Sequence, residues 1–69
     1  MDIKEELKRI EEKEGLSEID ILNLYNLKTK QNITRQSFNR TINNNTIKLT
    51  MFIDVLEAIG YTIEIKKKL

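Results

Sequence analysis

Cysteine and histidine are both missing from the 69 residues. Without cysteine there is no disulfide staple, no thiolate nucleophile and no cysteine-ligated zinc. Without histidine the chain loses the commonest general base and the commonest metal ligand near neutral pH. Glycine occurs only twice, as the isolated Gly15 and Gly60, so no glycine-rich loop is available to cradle a phosphate. Paired carboxylates exist at Glu5/Glu6 and Glu11/Glu12. Adjacent residues of a helix point about 100° apart, however, and do not share a site. No apolar run reaches membrane-spanning length, and the charged start Met1-Asp2-Ile3-Lys4-Glu5-Glu6 has no apolar signal core. These absences predict a cytoplasmic protein that is not an enzyme and takes no cofactor and no metal. A domain of this length buries only about 60% of its unfolded surface, which leaves room for one modest core and no deep substrate pocket. Residues 1–69 therefore read as one domain.

Acidic residues are missing from a whole third of the chain. Residues 1–20 carry eight acids and four bases, and residues 54–69 carry three of each. Residues 21–53 carry no acid and five bases, Lys28, Lys30, Arg35, Arg40 and Lys48. Such segregation marks a surface that faces a polyanion, against the plainer alternative of a solvated face on which charge has clustered.

What is present reads as an all-α chain of four helices, over about 2–14, 17–30, 34–43 and 50–59, followed by a strand over about 61–66. Asp2 caps the first helix, with Glu5 at the third helical position, and Ile3, Leu7 and Ile10 make its apolar stripe. Its charged residues fall elsewhere, with Glu5 and Arg9 as an i,i+4 pair and the Glu-rich face taken as solvated. Gly15 ends it in a left-handed turn with Leu16 folding back. Ser17 caps the second helix with Asp20 three residues on, and Ile19, Ile21, Leu22, Leu24, Tyr25 and Leu27 supply its apolar positions. Thr34 caps the third helix, which has only Phe38 and Ile42 as an apolar pair, and Asn43-Asn44-Asn45 is its exit. Thr50 opens the fourth, carrying Phe52, Val55, Leu56 and Ile59 up to Gly60. The tail then alternates, with Tyr61, Ile63 and Ile65 on one side and Thr62, Glu64 and Lys66 on the other, the period of a half-buried strand.

A lone strand leaves a row of unpaired donors and acceptors. Pairing with the same strand of a second copy gives a two-fold homodimer, with Tyr61, Ile63 and Ile65 at the interface. The alternative is an extended tail packed on the helices.

The third helix has the sharpest chemistry. Arg35, Gln36, Asn39 and Arg40 face outward, with Ser37 and Thr41 beside them. Arginine can make a bidentate contact to guanine, and glutamine or asparagine to adenine, in the major groove. A recognition helix presents such residues from its amino-terminal turns. Two of the three arginines in a chain with nine lysines fall here. The planar guanidinium suits base or phosphate recognition in a way an ammonium does not.

The stretch Asn32-Ile33-Thr34-Arg35-Gln36-Ser37-Phe38-Asn39-Arg40-Thr41-Ile42 up to Thr50, with Phe52-Ile53-Asp54-Val55-Leu56-Glu57-Ala58-Ile59-Gly60-Tyr61 after it, resembles the small helix-turn-helix regulators of the Xre/Cro/C1 type found in phages and low-GC bacteria. The resemblance spans about residues 24–65 and implies a compact bundle that binds double-stranded operator DNA as a homodimer, most often as a repressor. It places Thr34, Arg35, Gln36, Asn39 and Arg40 at the start and exposed face of a recognition helix. Asn44, Asn45, Thr46 and Lys48 fall in the following loop, which in the family often touches phosphates. Ser37, Lys28 and Lys30 complete the expected DNA-binding set, and the nucleoid is the expected place of action. The second helix departs from the family pattern, with Lys28 and Gln31 where a small and an apolar residue are usual. A protein-interaction module on the same fold, an antirepressor or an inhibitor of a protein partner, is the competing expectation.

Overall fold

The computed structural model describes residues 2–63, and these form four helices, α1 (Ile3–Glu14), α2 (Glu18–Thr29), α3 (Arg35–Asn43) and α4 (Leu49–Ala58). Three of the four starts are capped by the residues that their chemistry favours. The Asp2 carboxylate accepts from the Glu5 N–H at 3.2 Å. Ser17 and Asp20 form a reciprocal box, in which the Asp20 N–H donates to the Ser17 hydroxyl at 3.2 Å and the Ser17 N–H to the Asp20 carboxylate at 2.9 Å. These bonds favour the ionised carboxyl and hold Asp20 below the usual carboxylate range. The Thr34 hydroxyl accepts from the Ser37 N–H at 3.1 Å.

The fourth start differs from expectation. α4 begins at Leu49 with Lys48 in the cap position and no side-chain cap; the Phe52 N–H donates to the Lys48 carbonyl at 2.9 Å. Thr50 is thus already inside the first turn, because the backbone of Lys48, at φ −68° and ψ 145°, makes the entry without a hydroxyl. α1, α2 and α3 start one residue inside the expected bounds, because the capping residue lies outside the helix it caps; α1 and α3 end at Glu14 and Asn43 as expected, and α2 and α4 end one residue early. On α1, Arg9 pairs with Glu6 rather than with Glu5. The i,i+3 neighbour is equally close on a helix surface.

One core holds the bundle together. Leu7 and Ile10 of α1, Ile21, Leu22 and Tyr25 of α2, Phe38 and Ile42 of α3, Ile47, and Phe52, Val55 and Leu56 of α4 are all buried, and among the described residues no charged, amide or aliphatic hydroxyl side chain is buried with them. α2 packs along α4, while α3 is held by α1 and α2. Leu24 and Leu27, expected in the α2 stripe, are instead exposed, Leu27 by 78%. Apolar residues surround α2 on most sides, so its spacing fits several faces; the core takes the Ile21, Leu22 and Tyr25 face.

Among the described residues there is no strand. The expected strand over 61–66 is not formed at Tyr61–Ile63, and residues 64–66, with Ile65, lie outside the described residues. Tyr61 is engaged within its own chain. Its N–H donates to the Leu56 carbonyl at 2.8 Å, wrapping the end of α4, and its hydroxyl donates to the Glu14 carboxylate at 2.7 Å. That bond to an anion raises the phenol above its ordinary pKa. Tyr61 and Ile63 pack half-buried on the edge of the core, the arrangement weighed above as an extended tail. No helix among the described residues is long and apolar enough to cross a membrane.

Candidate nucleic-acid interface

α2 and α3 are joined by a turn of five residues, Lys30 to Thr34. Lys30 takes the left-handed conformation, φ 57°, where a glycine is more usual, and both its N–H and that of Gln31 close on the Asn26 carbonyl. The Asn26 side chain then clamps the far side of the turn. Its amide donates to the Ile33 carbonyl at 3.0 Å and accepts from the Ile33 N–H at 3.0 Å. Both bonds are partly buried. The angle between α2 and α3 is therefore fixed by a two-point hydrogen bond as well as by the core, and half-buried Ile33 packs against that core beside it. Sequence reasoning passed over Asn26. Its signal was slight, a short amide side chain in the last turn of a helix otherwise rich in apolar residues.

With Phe38 and Ile42 sealed in the core, the helical repeat decides what α3 shows. Gln36 and Arg40, four residues apart, lie opposite the buried pair, with Ser37 on one flank. All three are exposed, as are Thr34, Arg35 and Asn39. Thr41 is half-buried, and its hydroxyl donates back to the Phe38 carbonyl at 2.8 Å. Asn39 differs from its neighbours. Its amide nitrogen donates to the Glu18 carboxylate, 3.1 Å from Oε2 and 3.4 Å from Oε1, while its carbonyl accepts from Asn43 at 2.7 Å. Because a carboxylate only accepts, Glu18 fixes which way this amide points. Asn39 therefore turns toward the start of α2, and Gln36 and Arg40 make the outermost pair.

The connection from α3 to α4 is also organised. Asn45 sits at φ 54°, the positive value expected of the asparagine exit, and the Thr46 N–H donates to the Thr41 carbonyl at 3.0 Å. The Asn45 carboxamide accepts from the Ile3 N–H at 3.3 Å, which ties the start of α1 to this loop. Asn44, Asn45, Thr46 and Lys48 are all exposed. The two lysines at the end of α2 part company. Lys30 is exposed at the turn, whereas Lys28 reaches across to Glu57 of α4 at 3.8 Å, so its charge is directed to the α2–α4 side.

Two cations that the sequence reading assigned to a solvated face lie beside α3. Lys4 and Lys8 of α1 line a groove of about 340 Å³ together with Leu7, Glu11, Glu18, Asn39, Ile42 and Asn43. Burial and the neighbouring Glu18 raise the Glu11 carboxyl above its ordinary pKa. The signal available in the sequence was the spacing of Lys4, Leu7 and Lys8, which puts both lysines on the side of α1 that carries a core residue. No protein-family model, no curated protein and no solved structure matches the chain.

Proposed function

We propose that this protein is a sequence-specific double-stranded DNA-binding regulator, a repressor of the Xre/Cro/C1 kind, which reads the major groove with α3. The observation that carries this reading is the division of α3 itself. A two-residue apolar stripe is spent in the core, and what faces outward opposite it is Gln36 and Arg40, side chains able to make bidentate contacts to base edges, with Arg35 exposed in the first turn on the flank of the buried stripe. The clamped turn before α3 supports the same reading, since a recognition helix must be held rigidly to place donors on bases. Thr34, Ser37 and Lys30 at the amino end of α3, with Asn44, Asn45, Thr46 and Lys48 after it, supply backbone contacts. Asn39 contributes through Glu18 and Asn43 rather than as an independent base reader.

Such a helix reads few base pairs, and a two-fold homodimer doubles the site. Pairing of residues 61–66 between two copies, through Tyr61, Ile63 and Ile65, is the proposed assembly. The protein would act in the cytoplasm, on the nucleoid, without a cofactor and without catalysis. The experiment is a selection from a random pool of duplexes, followed by a gel shift on the selected site and on the promoter region of the protein's own gene. A selected consensus of two related half-sites supports the reading; a pool with no enrichment defeats it. A protein partner is the second reading, favoured by the exposure of Leu27 at 78% and Leu49 at 61%. It takes first place in the event that no duplex is enriched.

A further inference from the structure

The groove between α1 and α3 has a polarity. The Ile3–Asn45 bond places the start of α1 against the end of α3, so Lys4 and Lys8 line the groove toward Asn43 and the exit loop. At the other end, Glu11 lies near Glu18, which holds Asn39. Cations thus gather at the carboxyl-terminal end of α3 and carboxylates at its middle. Lys4 and Lys8 form no ion pair among the described residues, whereas Arg9, on the same helix, is paired with Glu6. Lys8 acts on Glu11 from a distance only, lowering its pKa against the stronger effect of burial. Among the described residues no three carboxylates gather as a metal ligand set.

We infer that Lys4 and Lys8 of α1, with Asn43 and the Asn44–Asn45 loop, form a binding site for the phosphates of a double-stranded DNA backbone, so that α1 grips the strand beside the groove that α3 enters. The inference rests on the DNA reading and extends the interface to a helix whose net charge is negative. Glu11 and Glu18 give the site its direction. A phosphate chain is attracted at the Lys4 end and repelled at the Glu18 end, which biases the course of the strand past α3. The Asn43 amide lines the same groove and, beyond its bond to Asn39, keeps one N–H as a neutral donor, the usual company of lysine at a backbone contact.

The test compares Lys4→Ala, Lys8→Ala and Lys13→Ala, three losses of the same charge from the same helix. Lys13 lines the groove on the opposite side, with Arg9, Phe52 and Tyr61, and serves as the control. Binding to the selected duplex and to a scrambled duplex is measured across a range of salt. Lys4→Ala and Lys8→Ala should each lower the salt slope by about one unit, and should weaken both duplexes alike. Lys13→Ala should leave the slope unchanged, and Gln36→Ala should alter the ratio between duplexes but not the slope. Equal slopes for all three lysine variants, with the Gln36→Ala ratio still changed, overturn the inference while leaving the DNA reading in place. A parent protein that binds neither duplex removes both together. Titration with inorganic phosphate separates a small-anion site from a backbone site. Saturation of the Lys4 and Lys8 amide shifts at millimolar phosphate, undisturbed by duplex, contradicts the proposal.

Discussion

Phe38 and Gly15 are single positions where the physics is specific enough to be measured. Phe38 is fully buried, so Phe38→Ala removes an aromatic ring from a close-packed core. The expected cost is about 3–5 kcal/mol. A domain of this size holds a stability of only about 5–15 kcal/mol, usually toward the lower end, so the variant should be largely unfolded at 37 °C. Circular dichroism melting decides it; a midpoint within a few degrees of the parent would place Phe38 outside the core. Gly15 offers the opposite case. A Cβ built there meets nothing within 4 Å, yet the backbone sits at φ 68°. Gly15→Ala should therefore destabilise by about 1–2 kcal/mol from backbone conformation alone. A neutral substitution at Gly15 would mean that the left-handed turn is not kept in solution. Both positions were legible in the sequence, because a lone aromatic on a polar helix and a glycine after a charged one leave few alternatives. Asn26 and Glu18 were not legible. Their roles depend on partners seven and twenty-one residues away, and a side-chain hydrogen bond across elements has no periodic signature.

At the scale of the elements, helix starts were read most closely. Asp2, Ser17 and Thr34 act through backbone N–H groups three residues on, a relation that spacing alone expresses. α4 escaped because its start is made by backbone conformation at Lys48. The buried face of α2 escaped because its apolar residues surround it, and only packing against α4 chooses among them. The Ser17–Asp20 box gives α2 a pH dependence whose sign follows from the depressed Asp20 carboxyl. A group held below its unfolded pKa adds stability above the unfolded value, and that contribution is lost as pH falls through the folded one. Ser17→Ala should cost about 0.5–2 kcal/mol near neutral pH. It should also narrow the gap to the parent in strongly acidic buffer, where the parent's Asp20 is protonated as well. Amide exchange in the first turn of α2, followed from pH 6 to pH 2, reads this directly. A gap that stays constant with pH contradicts the assignment of the box.

For the whole molecule the question is whether the chain works alone. Tyr61 and Ile63 cover the edge of the core near α1, and Tyr61 is tied to Glu14. The pairing proposed for residues 61–66 would have to start from that position. Sedimentation at tens of micromolar should show a dimer, and Ile63→Pro, which removes one ladder donor, should give monomers with weaker DNA binding. A monomeric parent counts against strand pairing. The alternation of Tyr61, Ile63 and Ile65 is a pattern of period two, which an extended tail and a strand share, so the sequence could not separate them. The central claim concerns α3, and it divides the molecule's contacts into two kinds that fail differently. Loss of a bidentate base contact typically costs about 1–3 kcal/mol on the correct site and relaxes specificity at one position. Loss of a phosphate contact weakens every sequence alike and lowers the salt slope by about one unit. The most direct measurement sets Gln36→Ala against Lys48→Ala, on the selected duplex and on a scrambled one, across a range of salt. Gln36→Ala should lower the ratio between the two duplexes with an unchanged slope, and Lys48→Ala should lower the slope with an unchanged ratio. If both variants lose affinity uniformly on the two duplexes, α3 does not read bases.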